Sequence, residues 1–458
     1  MLTETSVPSD SLPSRISNMS LEDDTPTPDN GFYVLVTGAN SGLGLGIGTR
    51  LIDEFLQTRP QSESLVLIIT TRDQRKGEAT IEKLKRHLRK VIRHHEQTLP
   101  GIAQVLQNRV YFRQERLDLL SLVSVQKLSK KLRETTPKLD VVICNAGIGG
   151  WTGVNWLGAT WTILTTWNKA LTWPTFKISG KGWTAKPQIQ ADKKVEEEAP
   201  LGEVFCANVF GHYLLGHYLA PLLARHAASE KTRGRLIWVS SLEAYEHVLD
   251  MDDMQGILSD MPYEVTKRVT DALAITSTLP ETSQEVDRYL DHSGESGKTT
   301  KPRLYVTHPG ICGTSIMALP LMLEYCMLAA FYLARLFGSQ WHTVTPEKGA
   351  TAMVWLALAS QDTLDNMEAK EGVGKWGSAT DAWGQERVER TEVAGWGWGG
   401  KLGEYKRKGR DPFAKDLTKE SQARFVDTGR RCWEEMEKLR IQWEAQLQRA
   451  GVAVQMDG

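Results

Sequence analysis

The stretch "FYVLVTGANSGLGLGIG", Phe32 to Gly48, runs from a short apolar segment into a glycine-rich turn and then into a helical pattern. The apolar segment does not alternate polar and apolar residues, which suits a strand buried on both faces. Gly38, Gly42 and Gly44 form a Gly-x-x-x-Gly-x-Gly pattern with Leu43 between the last two. Glycines here permit a tight turn and close approach of the backbone to a pyrophosphate. The anion then rests on a helix N-terminus, where unpaired N–H groups and the dipole favour negative charge. A structural turn rich in glycine is the plain alternative, but the strand-to-helix position is the one a dinucleotide site requires.

Further apolar runs rich in branched residues extend outward from this start: Ser64–Thr71, Arg109–Gln114, Leu139–Gly147, Arg235–Ser241 and Arg303–Gly310. Helix-like segments such as Glu78–Gln97 and Ser121–Glu134 separate them. Repeated strand, helix, strand units predict an α/β fold, a doubly wound parallel sheet of Rossmann type. Residues 1–31 read as a disordered polar tail, 32–360 as the catalytic domain and 361–458 as an extension. The domain carries an insert over about 149–201 with six tryptophans, a polar and mobile loop over about 281–301, and an apolar segment over about 316–337. The extension begins Gly/Trp-rich and ends in a charged helix, about Leu417–Arg449. Its Phe425, Trp433, Met436, Leu439 and Trp443 recur at helical spacing, which predicts packing on the body.

The bulk composition sets limits. The 458 residues are 41% apolar and 24% charged, as in soluble globular proteins. A formal net charge of -1 argues against a general nucleic-acid binder. Five scattered cysteines lack metal-ligand spacing and predict a reducing compartment, with Cys144 and Cys206 in core stretches. Residues 1–31 hold no apolar h-region, so the cytosol or a cytosol-facing surface is expected. The basic helix Glu78–Gln97 reads as a solvated face.

The second strand ends "TTRDQRK", with Thr71, Arg72 and Asp73 at its tip. An acid alone there would suit a free ribose 2′-hydroxyl. A guanidinium holds a 2′-phosphate bidentately, so Arg72 favours NADP(H) over NAD(H) unless it pairs with Asp73 or a neighbouring loop. Far downstream, "PYEVTKR" places Tyr263 four residues before Lys267, on one helix face.

Such a pair is common by chance. Together with the glycine loop, "NAG" at Asn145–Gly147, Asn208 and the serines of "VSSLEAY", all in one order along one α/β chain, it resembles the short-chain dehydrogenase/reductase family over most of 32–315. The resemblance implies that Tyr263 protonates a carbonyl oxygen as hydride arrives. It implies that Lys267 lowers the phenol's pKa and binds the nicotinamide ribose. It implies that Ser241 (Ser240 being the alternative) bonds the substrate oxygen, and that Asn208 holds a water relay to Lys267. Asp118 would contact adenine, Asn145 would line the cofactor cleft, and Pro309, Gly310, Ile311 and Thr314 would embrace the carboxamide. Two spacings depart from the family pattern: 63 residues from Asn145 to Asn208 and 22 from Ser241 to Tyr263.

"THPGICGTSIMALP", "KWGSATD" and "RRCWEEMEKLRIQWE" further resemble the fungal, keto-sterol-reducing branch of that family. This implies NADPH reduction of a 3-keto sterol to the 3β-alcohol during C-4 demethylation in ergosterol synthesis, within an enzyme complex at the cytosolic face of the endoplasmic reticulum membrane or on lipid droplets. Met317, Leu321, Met322, Tyr325, Met327 and Phe331 would line a sterol cleft or serve as core. Pro320, Glu324 and Arg335 interrupt Ile316–Phe337, which predicts an interfacial helix or substrate lid and peripheral membrane contact, not a span. A reductase of another lipophilic carbonyl (a retinoid or long-chain ketone) and a non-catalytic scaffold of a sterol complex remain open at this level.

Overall fold

The apolar runs become strands because their branched residues fill both faces of one sheet. The computed structural model describes residues 28, 30–173, 176–189, 198–224, 233–290, 300–313, 321–404 and 406–454. The strands are β1 (Gly31–Val36), β2 (Ser64–Thr71), β3 (Val110–Arg116), β4 (Val141–Cys144), β5 (Trp151–Val154), β6 (Lys177–Ser179), β7 (Arg235–Val239), β8 (Arg303–His308), β9 (Lys375–Thr380) and β10 (Glu386–Thr391). Among the described residues eight of them form one sheet, in the order β10-β9-β8-β7-β4-β1-β2-β3. All neighbours pair parallel except β10, which runs antiparallel to β9.

Leu35 of β1 pairs with Ile68 of β2 on one side and Val142 of β4 on the other. These three belong to one buried cluster, while Val34, Leu67 and Val141 belong to the cluster on the opposite face. Successive residues thus feed two cores, as a doubly covered parallel sheet demands. Cys144 and Cys206 are both buried in the first cluster. The chain order reverses between β1 and β4, so a crevice opens beyond their C-terminal ends.

Two of the eight strands arise in the Gly/Trp-rich stretch after Ser360, where no strand was expected. Lys375–Thr380 ("KWGSAT") is buried at every position, whereas Glu386–Thr391 ("ERVERT") carries charges on the sheet edge, a usual protection against edge pairing. The expected polar loop over 281–301 is in part a helix, Ser283–Leu290, anchored by buried Val286, Tyr289 and Leu290 at helical spacing. The mobile reading of that loop over 291–299 and the tail reading over 1–27 lie outside the described residues.

The C-terminal helix, Lys419–Arg449, starts in a capping box between Thr418 and Ser421. It buries Phe425, Trp433, Met436 and Trp443 against the body, with Leu439 partly buried. Trp433 Nε1 donates to the Leu273 carbonyl at 3.1 Å, and a Cβ on Gly429 would meet Thr276 Cγ2 at 2.4 Å. Both contacts fall on the helix Pro262–Thr276, which carries Tyr263 and Lys267. The extension therefore braces the helix that bears the Tyr/Lys pair.

Candidate active site

The helix Gly42–Thr58 opens at the end of β1 with its N-cap, Ser41, making no side-chain bond to the first turn. Its first N–H groups are left to face the crevice. Gly38 and Gly42 hold positive φ (66° and 50°), which side chains resist. A Cβ on Gly44 would lie 2.2 Å from the Gly38 carbonyl oxygen. Thr37 fastens the turn from below, its Oγ1 accepting from the backbone N–H groups of Asn145 (2.9 Å) and Ala146 (3.0 Å). Asn145 Nδ2 returns a bond to the Thr37 carbonyl at 2.9 Å. This donor-rich cradle, with glycine at positions 38, 42 and 44, fits a dinucleotide pyrophosphate.

One cavity of about 750 Å³ joins nearly every position expected to touch a cofactor. Gly38, Gly42, Leu43 and Gly44 line it beside Thr71, Arg72 and Asp118, and so do Asn145, Pro309 and Ile311. Thr71 is buried and donates to the Asp73 carbonyl at 2.7 Å. Thr343 Oγ1 donates to the carbonyls of Pro309 (2.9 Å) and Ile311 (3.3 Å) and fixes the loop after β8. Thr314 and Met317 lie outside the described residues.

The reactive centre lies where β7 ends. Ser241, Tyr263 and Lys267 all line the cavity. The Ser241 hydroxyl bonds the Tyr263 phenol and thereby favours its ionisation. Ser240 lines the cavity too, yet its Oγ accepts from Lys375 Nζ at 3.1 Å and donates to the Lys267 carbonyl at 3.3 Å. Ser241 Oγ instead accepts from the Glu243 N–H at 3.2 Å and meets the Tyr263 phenol, so of the two serines it is the one at the phenol. Lys375 in turn pairs with Asp271 at 2.7 Å, and both are almost fully buried.

Burial, and next the Glu243 carboxylate, push the Tyr263 phenol upward from its ordinary pKa. Lys267 Nζ stands 5.3 Å from the centre of the phenol ring and donates to the Val239 carbonyl at 2.8 Å. Desolvation, with help from the Lys375 charge, pulls Lys267 itself down to about 8.

Asn208 stands behind the cleft in a π-helical turn, Cys206–Phe210, a distortion often found at functional sites. Its Oδ1 accepts from the Ile148 N–H at 2.8 Å, and its Nδ2 donates to the Ile148 carbonyl (2.9 Å) and Thr266 Oγ1 (3.2 Å). Its direct partners are therefore loop backbone and helix, not Lys267.

Sequence reasoning passed over Lys177, Trp151 and Glu243, which meet at Tyr263. The Trp151 ring lies 5.0 Å from the Tyr263 ring, and Lys177 Nζ donates to both Glu243 carboxylate oxygens at 2.6 Å. Glu243 was within sight in "VSSLEAY"; the insert residues carry no local signal. The same cavity is also lined by apolar side chains, Trp156, Ala159 and Leu171 of the insert and Leu323, Met327 and Phe331.

The sheet reversal, the glycine cradle and the Ser241–Tyr263–Lys267 cluster define a short-chain dehydrogenase/reductase. No protein-family model matches the chain. The 3-keto-steroid reductase of Aspergillus fumigatus is 47% identical over 436 residues, covering 91% of this chain and 95% of its own. That of Gibberella zeae is 40% identical over 451 residues, covering 90% and 94%. A solved short-chain type dehydrogenase/reductase from Mycobacterium ulcerans aligns over 72% of this chain and 84% of its own, at 16% identity and a TM-score of 0.40. The chain belongs to the 3-keto-steroid reductase family.

Proposed function

We propose that this chain reduces a 3-keto sterol to the 3β-hydroxy sterol with NADPH, in the C-4 demethylation steps of ergosterol synthesis. One observation carries the reading: Tyr263 and Ser241 line the same single cavity as the glycine turn and as the apolar side chains of Trp156, Leu323, Met327 and Phe331. A sterol is almost wholly apolar with one polar end, and it needs this kind of site.

The Gly38–Gly44 turn would hold the pyrophosphate, Arg72 the 2′-phosphate, and Pro309 to Ile311 the carboxamide end. When bound, the cofactor supplies hydride to the carbonyl carbon. Ser241 Oγ donates a hydrogen bond to the ketone oxygen and orients it. Tyr263 gives up its phenolic proton to that oxygen as negative charge develops there, and the alcohol forms. Lys267, pulled down to about 8 by burial, is able to lose and regain a proton near neutral pH and so restore the phenol, with the Asn208 turn supporting a water path.

We place the protein at a membrane surface of the endoplasmic reticulum or lipid droplets, among partner enzymes of sterol demethylation. Family resemblance supports the partners. Exposed Met322, Tyr325 and Phe337, near exposed Trp156, Leu157 and Trp161 of the insert, support surface contact. Among the described residues no helix is long and apolar enough to cross a membrane.

The deciding assay follows NADPH oxidation by the purified protein across 3-keto sterols, retinal and simple ketones. Selective turnover of 3-keto sterols to 3β-alcohols is expected. Preference for retinal or a long-chain ketone, or binding without turnover, overturns the proposal.

A further inference from the structure

Lys177 sits on β6 in the Trp-rich insert, far from Tyr263 in sequence. It reaches the reactive centre all the same. Besides its two bonds to Glu243, its Nζ lies 3.1 Å from Glu264 Oε1. The three side chains are only 6%, 12% and 2% exposed. The ammonium also sits over the Trp151 ring at 4.2 Å and stands 5.4 Å from the Tyr263 ring centre.

Two carboxylates beside a phenol oppose its work as an acid, because each disfavours the phenolate left behind. Glu243 and Glu264 both raise the Tyr263 pKa. A single ammonium shared between them cancels one of the two negative charges. Burial drives the Glu243 carboxyl upward, and the Lys177 charge pulls it back. Removing one member of a buried ion cluster leaves the remaining charge uncompensated or forces it to take up a proton. The other groups facing the phenol are Ser241 and Cys312 from the loops after β7 and β8, and Lys267 on its own helix.

We infer that Lys177 is a positioning residue for the proton transfer. It keeps Glu243 paired, so that this carboxylate opposes proton release from Tyr263 less than an unpaired one would, and it ties the insert to the reacting centre through Trp151. The inference rests on the reading of Tyr263 as proton donor in ketone reduction. The insert is thereby part of the catalytic apparatus and more than a wall of the cavity.

The test measures kcat for a 3-keto sterol with the full chain, from about pH 6 to 9, beside NADPH affinity. In Lys177→Met, Glu243 ionises without a partner as pH rises, so kcat should drop roughly tenfold at the alkaline end and much less at the acid end. NADPH affinity should stay at the wild-type value. Lys177→Met/Glu243→Gln should recover most of the loss and the wild-type pH profile, and Lys177→Arg should keep that profile. A Lys177→Met enzyme with wild-type kcat and profile overturns the inference. So does a pH-independent loss that Glu243→Gln does not rescue, the mark of a mere anchor for the insert. Should Lys177→Met fail to fold, Glu243→Gln alone decides: a few-fold faster turnover supports the inference, and a tenfold loss overturns it. A wild type that binds NADPH yet reduces no ketone overturns the parent reading and this one together.

Discussion

Asp73 caps the helix that follows it and does not pair with Arg72. Its Oδ1 accepts from the Lys76 N–H at 2.9 Å, at the head of the helix Gln74–Thr98. Arg72 is left exposed on the wall of the cavity, with no ion pair among the described residues. The acid at this strand end therefore serves the helix, and the guanidinium is available to a phosphate. Arg72→Asp should weaken NADPH binding by about 10- to 100-fold, the loss of one or two charge-assisted bonds, and improve NADH relative to NADPH. Titration of cofactor fluorescence checks this. Unchanged NADPH affinity would mean that another residue reads the phosphate.

At the reactive centre the two serines differ in their partners, Ser240 bonding Lys375 and Ser241 the Tyr263 phenol, which predicts separate effects on substitution. Tyr263→Phe should bind NADPH normally and lose at least about 10²-fold in turnover, the scale of a positioned acid. Ser241→Ala should also lose turnover with cofactor affinity intact. Ser240→Ala instead strips an acceptor from buried Lys375, so its main effect should appear as lower stability, about 1–3 kcal/mol for an orphaned buried donor. Thermal unfolding and kcat measured on the same variants separate the two. Equal kcat losses for both serines would contradict this division.

These distinctions mark where sequence reading runs out. Gly38, Gly42, Gly44, Asn145, Tyr263 and Lys267 were legible because each sits at a fixed offset from a strand or helix end, and that local context carries its role. The strand Lys375–Thr380 was not, since Gly, Ser and Ala have weak strand preference and only the neighbouring β8 and β10 make it one. Lys177 and Glu243 meet across a long stretch of chain. No periodicity encodes a contact made by tertiary packing. The choice between Ser240 and Ser241 likewise depends on Lys375, which reaches Ser240 from a strand that composition did not reveal.

Burial of Lys267 has a measurable consequence for stability. Its folded pKa is pulled down to about 8 from the ordinary 10.5 of a lysine. Below the folded value the native state carries a penalty for holding the charge in a dry site. Between the two values the unfolded chain binds more protons, so this contribution to stability rises with pH. The full span corresponds to about 3 kcal/mol. Lys267→Met should therefore be more stable than the wild type near pH 7, and the gap should narrow as pH climbs toward 10. Denaturant unfolding of both proteins across that window checks it, and a gap that stays constant or widens would refute the assignment. The same variant should lose both cofactor affinity and turnover.

The helix Leu321–Leu336 divides its residues between two environments. Phe331 is 9% exposed, lines the cavity and packs its ring 5.4 Å from His342. Tyr325 is 65% exposed, and Phe337, just past the helix, is 69% exposed. A lid lying on a membrane needs both sides, one covering the sterol and one resting among headgroups. Burying apolar area contributes roughly 25 cal/mol per Å², so two such exposed rings would supply a few kcal/mol of membrane affinity. Tyr325→Ser/Phe337→Ser should shift the protein from membranes to the soluble fraction with NADPH binding unchanged. Phe331→Ala should raise the sterol KM and leave the membrane fraction where it is. At 16 residues the helix reaches only about 24 Å, short of the hydrocarbon core, so alkaline carbonate should extract the wild-type protein. Retention in the carbonate pellet would overturn the interfacial reading, and a wild type that never sediments with membranes would reduce this helix to a substrate lid.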